Sequence, residues 1–186
     1  MKLNTDKPLT IGAKRTLKAL QTAMEELLEK KSFDQIQTKE LCEKSMIPRA
    51  TFYNYFEDKY DLLQYVFTVT DLRPAFFDGE AVPQDYMRII DRFFDNAEEQ
   101  QAHLARILRR NPPGSTFVRL YEEYFRAEVC RYIYESGVYD GYDIPQELMA
   151  QVTSDVILDV YEWVYIRGHE TPREEIDKYI KKMLIQ

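Results

Sequence analysis

The chain has 186 residues, 45% of them apolar and only six of them glycine, and it carries a formal net charge of −7. That length and apolar share can bury a sizeable core in one or two domains, which excludes a disordered chain and favours helices. Two cysteines, Cys42 and Cys130, are too few for a disulfide framework and read as reduced thiols.

No apolar run reaches the ~18–20 residues that a membrane span requires, and no basic-then-apolar leader opens the chain. The expected location is therefore the cytoplasm, with no membrane partner. Charge is unevenly spread: residues 1–59 hold 11 Lys/Arg against 9 Asp/Glu, whereas residues 60–186 hold 14 against 23. An acidic C-terminal part would repel nucleic acid from all but the N-terminal end, or would simply solubilise the protein.

Residues 1–9 are polar, with Lys2, Lys7 and Pro8, the pattern of a mobile arm. From Thr10 the positions Ile11, Leu17, Leu20, Ala23, Met24, Leu27 and Leu28 form a helical stripe, with Lys14, Arg15 and Lys18 on or near the other side. Phe33, after Lys30-Lys31-Ser32, reads as a core plug that closes this helix onto residues 37–63. Those residues contain two short amphipathic patterns separated by a break. Leu41 and Cys42 are the apolar positions of the first. Pro48 stops any continuous helix but suits the start of a new one. In the second, Phe52 and Phe56 lie four apart on one face, so a helix anchored by them displays Arg49, Ala50, Tyr53 and Asn54. Helix, tight turn, helix with a polar display face is the layout of a helix-turn-helix.

The run Arg49-Ala50-Thr51-Phe52-Tyr53-Asn54-Tyr55-Phe56, with Asp58-Lys59 and Leu62-Leu63 after it, resembles the recognition-helix signature of TetR-family transcriptional regulators. Two positions depart from that pattern. Met46 stands where the family usually has Gly in the turn, and Pro48 where a capping Ser or Thr is common. A methionine at positive φ is strained, so the turn is expected to differ locally. The resemblance implies DNA contacts from Arg49, Ala50, Thr51, Tyr53, Asn54 and Tyr55 on the third helix. It adds Thr38 at the start of the second, Lys14 and Arg15 on the first, and Lys59 on the fourth. A lysine in a helix's first turn opposes the helix dipole, so something other than helix stability accounts for Lys59; the resemblance implies a backbone phosphate.

Asp58 opens the fourth helix in the manner of a capping box, and Leu62, Leu63, Val66 and Phe67 carry it to about Thr70. The stretch 73–83 reads as a loop. A helix from about Pro83 and a shorter one at Ala102–Leu108 lead to the break Asn111-Pro112-Pro113-Gly114. Helices over Ser115–Ser136 and Pro145–Arg167, and a last one after Pro172, complete the chain. The expected fold is all-α with about nine helices: a helix-turn-helix DNA-binding domain over 1–55 and a C-terminal regulatory and dimerisation domain over 56–186.

Val156–Ile166 is apolar on nearly every side and so needs neighbours on two sides. The resemblance implies that the last two helices pair with their mates in a homodimer. Leu158, Tyr161, Trp163, Tyr165, Ile176, Ile180 and Met183 are the interface candidates; burial within one subunit is the alternative. No histidine–cysteine cluster, nucleotide loop or nucleophile elbow occurs, so no catalytic residue, metal or cofactor is expected, and an enzyme is not. The resemblance further implies an effector pocket. Phe93, Tyr121, Tyr124 and Phe125, with Asp155 and Asp159, would suit a cationic or planar small-molecule effector, although such a stripe also reads as ordinary core. The expected partners are double-stranded DNA, a second copy and a small-molecule effector of unknown identity, with repression as the output. A TetR-like co-activator governed by a protein partner is the other reading.

Overall fold

A computed structural model of the chain describes residues 9–69 and 86–184. The polar arm expected over 1–9 (bar its last residue) and the loop expected over 73–83 lie outside the described residues. The described residues form eight α-helices and no strand. These are α1 (Ile11–Leu28), α2 (Thr38–Ser45), α3 (Arg49–Tyr55), α4 (Lys59–Val69), α5 (Tyr86–Leu108), α6 (Thr116–Ser136), α7 (Gln146–Tyr161) and α8 (Arg173–Leu184). A 3₁₀ turn, Phe33–Gln35, precedes α2, and a π-helical turn, Glu162–Ile166, extends α7. The helix expected separately at Ala102–Leu108 is the end of α5, which runs 23 residues without a break. No Gly or Pro interrupts it, and buried Ala97 and Leu104 carry its apolar stripe through the polar stretch between them.

The chain divides into two compact units, Met1–Arg73 with Arg106–Val118, and Pro74–Ala105 with Arg119–Gln186. In the first, the Thr10 hydroxyl caps α1 by accepting from the Ala13 amide at 3.2 Å. Leu17, Leu20, Ala23, Met24, Leu27 and Leu28 face inward as their spacing predicts, whereas Ile11 is 72% exposed. Phe33, Leu41, Phe52, Phe56, Leu62, Leu63, Val66 and Phe67 complete this core, each fully buried. Burying side chains of this size contributes about 1.5–3 kcal/mol each. At the start of α4, Asp58 Oδ1 accepts from the amides of Tyr60 (2.8 Å) and Asp61 (2.9 Å), and Asp61 accepts from the Glu57 amide at 3.0 Å.

The turn between α2 and α3 keeps the geometry that glycine favours, contrary to the expectation of a local difference. Met46 is left-handed, with φ 55° and ψ 30°. The Met46 amide donates to Glu43 O at 3.3 Å and the Ile47 amide to Cys42 O at 3.0 Å, closing the end of α2. The Met46 side chain points into solvent and meets no obstacle, being 89% exposed. Pro48 is the cap of α3 rather than its first residue. A non-glycine residue pays roughly 1–2 kcal/mol for this conformation, partly offset by the extra unfolded-state freedom of glycine. Met46→Gly is therefore expected to stabilise the protein by about 0.5–1 kcal/mol, read as a raised urea midpoint at unchanged slope.

The second unit is built on aromatic rings. Phe93, Phe94, Tyr121, Phe125, Tyr161 and Tyr165 pack with neighbouring centroids 4.9–6.4 Å apart. The hydroxyls of Tyr121 and Tyr161 share a buried hydrogen bond of 3.0 Å, and burial pushes both phenols well above their usual range. At the start of α8, Arg173 reaches Asp91 and Asp177, each at 3.1 Å, and lies over the Phe94 ring.

Candidate nucleic-acid interface

Seven residues make a helix too short to stand alone, so α3 depends on what lies behind it. Phe52 and Phe56 are both fully buried, with ring centroids 5.7 Å apart, and Phe56 packs on Tyr65 of α4 at 5.5 Å. With that face fixed, Arg49, Ala50, Tyr53 and Asn54 are exposed, while Thr51 and Tyr55 are half-buried. Arg49 forms no ion pair among the described residues. By contrast, Lys31 is held by Glu40 at 2.7 Å and Lys44 by Glu26 at 2.5 Å.

Thr38 opens α2, and Gln37 before it provides no side-chain cap. The amides of Glu40 and Leu41 both go to Gln37 O, leaving those of Thr38 and Lys39 without a partner among the described residues. On α1, Lys14 and Arg15 are exposed. The chemistry on offer is thus a guanidinium and a carboxamide able to read base edges, with hydroxyls, helix-end amides and cations able to meet phosphates.

Lys59 is placed differently from the rest. Its ammonium donates to Phe33 O (2.9 Å), Asp34 O (3.1 Å) and Ile36 O (3.0 Å), and sits 4.6 Å from the Phe33 ring centroid. Burial lowers its pKa, while Asp34 and Asp58 draw it back up. A lysine has three protons to donate, and all three are used inside the protein. The phosphate contact implied for Lys59 is therefore not open to it in this arrangement. Those carbonyls, not the dipole of its own helix, explain a lysine in that first turn.

One residue of this unit reads in the sequence only as a break. Asn111, just beyond α5, is 1% exposed. Its Oδ1 accepts from the Phe33 amide at 2.7 Å, and its Nδ2 donates to Leu28 O at 3.3 Å and Ile107 O at 3.1 Å. A buried asparagine with every contact satisfied has no local sequence signal.

The family model for bacterial regulatory proteins of the tetR family matches residues 20–66, from mid-α1 through the helix-turn-helix and most of α4. Residues 20–66 are thus of the tetR-family type. Solved structures of similar fold extend the likeness beyond that span. A TetR transcriptional regulator from Streptococcus agalactiae is 20% identical, with 93% of this chain and 95% of that one covered and a TM-score of 0.62. A chain from Syntrophomonas wolfei assigned to the TetR family is 15% identical, covering 91% and 93%, with a TM-score of 0.59. The dihydroxyacetone kinase operon activator DhaS is 18% identical, covering 91% and 92%, with a TM-score of 0.57. No curated protein matches the chain.

The residues expected to pair two TetR subunits divide into two groups. Leu158, Tyr161, Tyr165, Ile176 and Ile180 are all buried within the single chain, where they form its own core. Trp163 and Met183 are exposed, at 47% and 58%, and with Asp159, Val160 and Tyr179 they line an open, apolar groove of about 350 Å³. The expected effector residues also separate. Phe93, Tyr121 and Phe125 are buried in the ring cluster, and one void beside Tyr121, Phe125 and Tyr161 measures about 10 Å³. That is room for a water molecule and no more. Asp155 is paired with Arg126, Tyr124 is half-buried, and Asp159 lies on the outer groove.

Proposed function

We propose that this chain is a TetR-family regulator that binds a palindromic operator as a homodimer, in the cytoplasm, and represses transcription until an effector changes the spacing of its two heads. The observation that carries the reading is α3: two buried phenylalanines behind it, and Arg49, Ala50, Tyr53 and Asn54 exposed in front. In this reading residues 1–55 act as the DNA-binding head and 56–186 as the dimerising and regulatory body. The α3 helices enter successive major grooves about 34 Å apart. Arg49 takes a guanine edge, Asn54 a base or the backbone, and Lys14, Arg15, Thr38, Thr51, Tyr53 and Tyr55 position the duplex. The exposed Trp163 and Met183 groove supports the dimer.

The test is selection of bound duplexes from a random pool, with and without candidate ligands. It is expected to return a two-fold symmetric site. Arg49→Ala is expected to cost about 1–3 kcal/mol at that site and to relax preference at one position per half-site. Wild-type preference in the variant removes Arg49 from base reading.

A second reading is control by a protein partner instead of a small ligand, with activation as the output. One observation favours it: the likeness in fold to a protein described as an operon activator. Recovery of the same operator with no ligand effect across a broad panel would favour this second reading.

A further inference from the structure

Between α1 and α2 the chain has a single 3₁₀ turn, Phe33–Gln35, too brief to hold its own position. It is gripped from two sides. Asn111 takes the Phe33 amide and ties it to Leu28 O at the end of α1 and to Ile107 O at the end of α5. Lys59 takes the carbonyls of Phe33, Asp34 and Ile36. The Phe33 ring, fully buried, lies under the Lys59 ammonium and meets Tyr60 edge-on at 5.1 Å. Thr38 opens α2 two residues after Ile36, so whatever fixes Ile36 fixes where the helix-turn-helix begins. Hydrogen bonds to a charged donor are about twice as strong as neutral ones, and a buried carbonyl left without its donor is costly.

We propose that Asn111 and Lys59 are positioning residues for DNA binding, a two-sided clamp on Phe33 that sets where α2 and α3 stand without either side chain touching the duplex. The proposal rests on the DNA-binding role of α3. It separates Lys59 from Lys14 and Arg15, the cations open to phosphate.

The test uses the full-length protein and the duplex selected from the random pool, with affinity measured across a range of salt concentrations. Lys59→Met and Asn111→Ala are each expected to weaken binding about tenfold. Apparent affinity falls in proportion to the fraction of heads in the competent arrangement. The slope of log K against log salt should stay at the wild-type value in Lys59→Met. A slope shallower by about 0.9 means a lost phosphate contact and overturns the proposal, as does unchanged affinity. Because both variants break one device, the double variant should bind no worse than about tenfold; a hundredfold loss also overturns it.

Should Lys59→Met fail to fold, the wild-type protein answers by the ¹⁵N signal of the Lys59 ammonium. The expected result is a hydrogen-bonded, slowly exchanging signal that the duplex does not shift. A signal that is absent in the free protein, or that moves on binding, counts against the clamp. A wild-type chain that captures no duplex is a different result, and sinks the role of α3 itself.

Discussion

Replacing Phe52 by alanine is expected to destabilise the first unit by about 3–5 kcal/mol and to abolish specific DNA binding. The side chain is fully buried, and its ring abuts Phe56 and Tyr53. Removing it leaves a void behind a seven-residue helix that has little stability of its own. The contrast with Arg49→Ala is informative, because Arg49 is exposed and its loss should leave stability within about 0.5 kcal/mol. One variant removes the support and the other the contact. Urea unfolding followed by hydrogen exchange over residues 49–55 separates them. Wild-type stability in Phe52→Ala would mean that α3 is held by something other than its two phenylalanines.

The second large effect is expected at the outer groove. Trp163→Glu combined with Met183→Glu places two carboxylates beside Asp159 on the surface proposed to join subunits. Central apolar anchors of an interface are worth about 2 kcal/mol or more each, so the dimer constant should fall by roughly a thousandfold or more. Both side chains are exposed in the single chain, so the fold itself should be little changed. Sedimentation at micromolar concentration is expected to show a monomer, and the palindromic duplex should lose affinity steeply. An undiminished dimer mass would place the subunit contact elsewhere.

The helix-turn-helix was legible because its signals are local. Two phenylalanines four apart and a proline between two patterns specify the same short helix by several independent rules. The limits of those rules are equally specific. At Met46 the side chain's aversion to positive φ signals strain but says nothing of the bonds to Glu43 O and Cys42 O that hold the turn in spite of it. Lys59 conflicts with its own helix dipole, and the carbonyls that resolve the conflict lie more than 20 residues earlier in the chain. Asn111 sits beside two prolines and a glycine, so loop chemistry masked a buried hydrogen-bonding role. Nearly all-round hydrophobicity over Val156–Ile166 did imply neighbours on several sides. It could not tell which neighbours belong to the same chain, and Leu158, Tyr161 and Tyr165 proved to be interior. The polar stretch Asp95–Gln101 suggested a gap, because every polar position counts against a stripe; helical continuity was carried by Ala97 and Leu104 alone.

Trp163 is the chain's only tryptophan. Its indole is stacked on the His169 ring, with centroids 3.6 Å apart and planes 10° apart, at the edge of the outer groove. Indole emission from this protein therefore comes from one corner alone, unmixed with any other tryptophan signal. Anything that covers that corner or parts the two rings will alter its intensity or colour. The molecule carries its own optical probe, placed at the groove proposed to receive a second subunit, and association there can be followed without a label.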